Sequence, residues 1–125
     1  MKYQPKLEKI IMCPLEQGLN VFGGKWKSRI ICVLSTREAT RYNELKKELN
    51  NITDAVLASM LKELIADQLI SRQQYNEVPP RVEYALTEKG RSVLPILQTI
   101  CQWSRKNENP EVHLKLRPCR NCDQL

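Results

Sequence analysis

Between Tyr42 and Arg91 the hydrophobic period of this chain changes once, from helical to alternating, and that change constrains the fold more than any other feature. In YNELKKELN, Leu45 and Leu49 fall four apart on one face while Glu44, Lys46, Lys47 and Glu48 take the rest, the pattern of an amphipathic helix. Asn50-Asn51 then stops it. Thr53 or Asp54 is expected to cap a second helix, since a short side-chain oxygen can accept from an unpaired N–H of the first turn. On that helix Leu57, Met60, Leu61, Leu64 and Ile65 gather on one side, and Ala55, Ser59, Lys62 and Ala66 lie opposite. Its outer face is made of small residues and one lysine.

After Gln68 the residues LISRQQY alternate, NEVPP reads as a turn, and RVEYAL alternates again. Val82, Tyr84 and Leu86 share one face of the last run; Arg81, Glu83 and Ala85 share the other. Pro79 and Pro80 have no N–H to give to a ladder and belong in the loop. Two helices joined by a short turn, the second bare outside, are how a helix-turn-helix lays a recognition helix into the major groove. The plainer alternative is two packed helices whose alanines serve helix propensity. A hairpin directly after the second helix, with Arg81 at its stiff tip, favours the first reading, because that hairpin is a wing.

The run CPLEQGLNVFGGKW, then RYNELKKEL, LASMLKELIADQLISR, VPPRVEYALTEKG and the late Pro95 and Trp103 resemble the HxlR family of MarR-like bacterial transcriptional regulators. The resemblance spans roughly residues 8 to 106, and GGKW and VPPRVEYALT are its most specific blocks. It implies a winged-helix homodimer that binds operator DNA, with terminal helices pairing across a two-fold axis. On this basis residues 1–12 are expected to be an N-terminal arm, 13–109 the DNA-binding domain, and 110–125 a C-terminal tail.

The chain has 125 residues with 42% hydrophobic content, enough for one domain with its own core and too few for two. A net charge of +6 suits an anionic partner, and it is unevenly spread. Residues 23–50 hold seven basic and three acidic side chains, whereas residues 51–70 hold one basic and three acidic. Phosphate affinity is therefore expected from around the recognition helix more than from the helix itself. No apolar run approaches the ~20 residues of a spanning helix, and no charged-then-apolar leader is present, so a cytoplasmic location is expected. Five cysteines form an odd count without framework spacing, which fits a reducing compartment.

Pro14 suits a first helical position, which places Cys13 at the N-cap. A thiol there faces unpaired N–H groups and the positive end of the helix dipole, which favours reaction with oxidants and electrophiles. The alternative is a buried, inert cysteine. The resemblance adds that several HxlR-like regulators sense electrophiles through a cysteine at the matching position. Gly23-Gly24 breaks the first helix, and Lys25 to Leu34 begins another. In it Trp26, Ile30, Ile31, Val33 and Leu34 supply apolar bulk, Cys32 reads as packing, and Lys25, Lys27 and Arg29 face either phosphates or solvent. After the wing Thr87 caps a last helix, Glu88 to about Lys106, weakened by Gly90 and kinked at Pro95. Its apolar surface at Val93, Leu94, Leu97, Ile100, Cys101 and Trp103 calls for a second subunit as cover. In the tail Cys119 and Cys122 form one C-x-x-C. With the lone His113 this is short of a zinc site within one chain, so no metal or cofactor is expected.

The expected architecture is α+β, a mainly helical winged helix-turn-helix with a two-stranded wing, dimerised through terminal helices. The expected function is sequence-specific binding of double-stranded DNA at an inverted repeat, with an oxidant or small-molecule effector acting through Cys13. Thr53, Ala55, Ser59 and Lys62 are the candidate base-reading residues, Arg81 the candidate wing contact, and Arg41 and Lys46 the candidate backbone anchors. Small side chains offer few base hydrogen bonds, so DNA shape is expected to carry part of the specificity. The rival is a winged-helix module that binds protein and not DNA, consistent with the acidic balance of residues 51–70. An enzyme is not expected, because the chain lacks a Gly-rich phosphate loop, a histidine beside a nucleophile and a defensible carboxylate pair.

Overall fold

The computed structural model describes residues 13–107. The expected arm and tail, with His113, Cys119 and Cys122, lie outside the described residues. The elements run α1 (Pro14–Phe22), α2 (Gly24–Leu34), β1 (Thr40–Arg41), α3 (Tyr42–Leu49), α4 (Asp54–Ala66), β2 (Ile70–Tyr75), β3 (Arg81–Leu86), α5 (Glu88–Arg91) and α6 (Leu94–Lys106).

The core is built around α2, whose Ile30, Ile31 and Leu34 are buried. Leu45 and Leu49 of α3 and Leu57, Leu61 and Leu64 of α4 close on it, as the helical spacing predicts. Ile52 in the turn, Leu69, Ile70, Tyr84 and Leu86 of the hairpin, and Val93 and Leu97 near the C-terminal end complete the cluster. Met60 and Ile65 are only partly buried against it. Burying a side chain of this size contributes about 1.5–3 kcal/mol, so this shared interior outweighs any surface ion pair in fixing α3 against α4.

The α3–α4 turn is short because both of its asparagines take left-handed backbone, Asn50 at φ 53° and Asn51 at φ 58°. Arg29 reaches in from α2 and donates to the Leu49 carbonyl at 2.8 Å, satisfying an acceptor that the end of α3 leaves open. Thr53 caps α4, its hydroxyl accepting from the Val56 N–H at 3.2 Å. Gly23 separates α1 from α2, and Gly24 follows at φ 89°.

The sheet has three strands in the order β1-β3-β2, all antiparallel. Thr40 faces Tyr84 and Arg41 faces Glu83, so the segment just before α3 supplies an edge strand to the two-stranded wing. Two residues are too few to show a period, which is why alternation could not reveal it. Arg81 is not at the hairpin tip: it begins β3 directly across from Tyr75.

The single kinked last helix is replaced by two. α5 ends at Arg91, and Pro95 sits in the first turn of α6, where its missing N–H costs no hydrogen bond. Gly90 does more than weaken a helix. A Cβ at this position would stand 2.1 Å from the Leu69 carbonyl oxygen and 3.0 Å from Leu86 Cδ2, so α5 can lie against the start of the wing only with glycine there. Thr87 completes this joint, its hydroxyl donating to the Gln68 carbonyl at 2.7 Å and accepting from the Gly90 N–H at 3.0 Å. Lys89 reaches the Asp67 carbonyl at 2.9 Å, tying α5 to the end of α4 as well.

Leu15 and Leu19 on α1 and Ile96, Ile100 and Trp103 on α6 are exposed. On these two helices, these large apolar side chains are left uncovered by the core of one chain. No helix among the described residues is long and apolar enough to cross a membrane.

Candidate nucleic-acid interface

Along α4, Ala55, Ser59 and Lys62 are exposed, with Thr53 at the cap, and Ala58 joins them. Spacings of four and three place Ala55, Ser59 and Lys62 on one stripe, opposite buried Leu57, Leu61 and Leu64. Lys62 carries no ion pair among the described residues, so its charge is open to a phosphate or a base edge. Glu63, the neighbouring acid, is drawn to Lys27, whose ammonium lies 2.7 Å from its carboxylate.

That contact corrects the expected role of Lys27. It is buried on α2 and also donates to the Asn20 carbonyl of α1 at 3.2 Å, so it joins α1, α2 and α4 and does not face phosphate. Arg29 is likewise committed, to Leu49 and to the face of Trp26 at 5.0 Å. Lys25 lies over the same ring at 4.7 Å, so half-buried Trp26 has two cations within reach of its π-system.

Lys46 is not a free anchor. Its ammonium sits 3.0 Å from Asp54, at the start of α4. Tyr42 donates its hydroxyl to the same carboxylate oxygen at 2.8 Å. Lys46, and after it Tyr42, hold the Asp54 carboxyl below its ordinary range. Burial, reinforced by the Asp54 hydrogen bond, pushes the Tyr42 hydroxyl up to about 12.

The register of the sheet brings Arg41 and Arg81 to one face. Glu83 lies directly across from Arg41 on β1 and Gln73 on β2, and Arg81, two residues before Glu83, shares its side of β3. Arg41 is exposed and, among the described residues, holds no ion pair. Arg81 is engaged three times, with Glu77 at 2.8 Å, Glu83 at 3.1 Å and the Tyr75 ring at 3.9 Å. Its Nε is buried without a hydrogen-bond partner among the described residues. The wing arginine is therefore pre-positioned but electrostatically offset by two carboxylates. Sequence reasoning missed Gln73, which joins this row only through the β2–β3 register, and Asp54, which read as one of two possible caps.

Cys13 is exposed at the N-cap of α1, its N–H donating to Glu16 at 3.1 Å. Cys32 and Cys101 are half-buried, and among the described residues no disulfide joins these three cysteines. No three His, Cys, Asp or Glu side chains among the described residues come together in a way that could hold a metal ion.

The model of the HxlR-like helix-turn-helix family matches residues 21–112. The HTH-type transcriptional regulator BH0655 of Halalkalibacterium halodurans is 44% identical over 108 residues, covering 86% of this chain and 96% of the relative. Among solved structures, the redox regulator HypR in its oxidized form superposes with a TM-score of 0.72 at 39% identity, over 78% of this chain and 99% of that one. The reduced form of the transcriptional regulator YodB from Bacillus subtilis gives 0.70 at 33% identity, over 80% and 98%.

Proposed function

Because this chain belongs to the HxlR family of MarR-like winged helix-turn-helix transcriptional regulators, we propose that it binds an inverted-repeat operator as a homodimer, one recognition helix per half-site. The observation that carries this reading is the exposed stripe of α4, where small side chains and a Lys62 without an ion pair among the described residues permit close approach to a major groove. Thr53, Ala55, Ser59 and Lys62 face the bases in this reading. Arg41 and Lys46 meet the backbone, and Arg81 enters or borders the minor groove. Lys46 and Arg81 must first exchange a carboxylate partner for phosphate, so they contribute less affinity than free cations. The exposed apolar residues of α1 and α6 supply the surface for a second copy.

Half-sites then lie about one helical turn apart, ~10 bp centre to centre. Selection of binding sites from random DNA, followed by sedimentation of the protein alone and with the selected duplex, tests this. A symmetric site bound by two chains is expected. A monomer at micromolar concentration, content with one half-site, overturns the dimeric reading.

The acidic balance of residues 51–70 favours a second reading, a winged-helix module that docks on protein. The same selection separates the two, since such a module enriches no DNA sequence. The finer part of the proposal is regulation by an oxidant or electrophile at Cys13. Its support is the exposed position of that thiol and the likeness to HypR, called a redox regulator, and to YodB, solved both reduced and diamide-treated. A DNA-binding regulator of this kind acts in the cytoplasm.

A further inference from the structure

Asp54 is the first residue of α4 and is well exposed, yet its carboxylate is held in place. Both of its holders come from the preceding helix: Tyr42 donates at 2.8 Å and Lys46 at 3.0 Å, each to Oδ1. Capping does not need it, because Thr53 accepts from the Val56 N–H. Of the other acidic residues of the segment, Glu63 is drawn to Lys27 and Asp67 lies at the far end of α4. A negative charge thus stands at the end of the helix that a helix-turn-helix presents first to base edges.

Such a charge is unfavourable near phosphates and gains something only where a base donates to it. In the major groove the donors are the exocyclic amino groups of cytosine and adenine. Adenine sets an N7 acceptor beside its amino group, which opposes a carboxylate, whereas cytosine offers N4–H without an acceptor of its own alongside. Resting on the DNA-binding reading above, we propose that Asp54 is a specificity-determining residue. Oriented through Oδ1 by Tyr42 and Lys46, it accepts from cytosine N4 through Oδ2 and disfavours sequences that present no donor there. The outer face of α4 is otherwise poor in hydrogen-bonding groups, so one oriented carboxylate has a large share of direct readout.

The test is selection from random DNA, with affinities for the selected and for an unrelated duplex, using wild type, Asp54→Asn and Tyr42→Phe. Wild type should require cytosine at one position of each half-site. Asparagine keeps its one oxygen as an acceptor for Tyr42 and a weaker, neutral partner for Lys46, and turns an amide donor toward the bases in place of Oδ2. Asp54→Asn should therefore lose the cytosine requirement at that one position and favour a base that presents an acceptor there, by about tenfold in relative affinity. It should also bind unrelated DNA more tightly, with a salt slope steeper by roughly 0.9 as Lys46 becomes available to phosphate. Tyr42→Phe keeps the charge and loses one orienting donor, so it should weaken the cytosine preference without gaining affinity for unrelated DNA. If Asp54→Asn gains affinity uniformly and no position changes, Asp54 repels phosphate and does not read a base, and the proposal fails. If wild type enriches no sequence at all, the DNA-binding reading fails instead.

Discussion

Tyr42, the first residue of α3, donates its hydroxyl to Asp54, the first residue of α4, at 2.8 Å. The bond joins the two helices of the helix-turn-helix through a tyrosine that itself packs against the core beside the buried leucines. Lys46 joins the same carboxylate one turn further along α3. The orientation of the recognition helix is thus fixed twice, by apolar burial within and by this polar clasp outside.

Lys46 is the larger cause of the lowered Asp54 ionisation and Tyr42 the smaller. A carboxyl depressed in the folded state stabilises it above the ordinary aspartate range, and that contribution is lost as pH falls through the folded value. An NMR titration of the Asp54 carboxyl carbon should give a midpoint below the usual ~3.9. Lys46→Ala should raise it more than Tyr42→Phe does; the reverse order contradicts the assignment of causes.

Gly90→Ala forces a methyl group against the Leu69 carbonyl, a backbone atom that cannot rotate away. The expected loss is about 3 kcal/mol, at the upper end for overpacking, read by urea unfolding. Because the joint ties α5 to the base of the wing, the loss should come with looser amide protection in β2. A change within experimental error would mean that α5 shifts without cost.

Arg81 presents one cation against the carboxylates of Glu77 and Glu83. Arg81→Ala should weaken binding to all DNA sequences alike and lower the salt slope by roughly 0.9, as expected for one lost phosphate contact. Glu77→Gln should do the opposite, tightening binding by releasing part of the guanidinium. Unchanged affinity and slope in both variants would remove the wing from the DNA interface.

Cys13 is exposed at the start of α1 near uncovered Leu15 and Leu19, so in the proposed dimer oxidation or alkylation there would disturb the seam between copies. A small shift in the spacing of two reading heads forfeits the gain from binding both half-sites. Diamide should change operator affinity in wild type, change it less in Cys13→Ser, and still change it when Cys119 and Cys122 are both serine. Equal responses in wild type and Cys13→Ser would place the chemistry elsewhere.

The sequence by itself determined the features that rest on local order. The leucine stripes of α3 and α4, a cap at Thr53 or Asp54, the hairpin after Gln68 and Pro14 at the first turn of α1 all follow from spacing and backbone preference within a few residues. They lead to two packed helices followed by a wing and to the exposed stripe of Ala55, Ser59 and Lys62, while the family resemblance supplied the winged helix-turn-helix. What only the tertiary structure decided is which charges are spoken for. Lys27 turns inward to Glu63 thirty-six positions away, Arg29 reaches Leu49, and Lys46 and Asp54 meet across a turn. β1 exists only because β3 lies beside it, and Gly90 is required only because Leu69 comes close. Each depends on a distance between segments that folding of the shared core sets. A charged side chain in a sequence has no fixed partner until burial of the apolar residues decides what stands next to it.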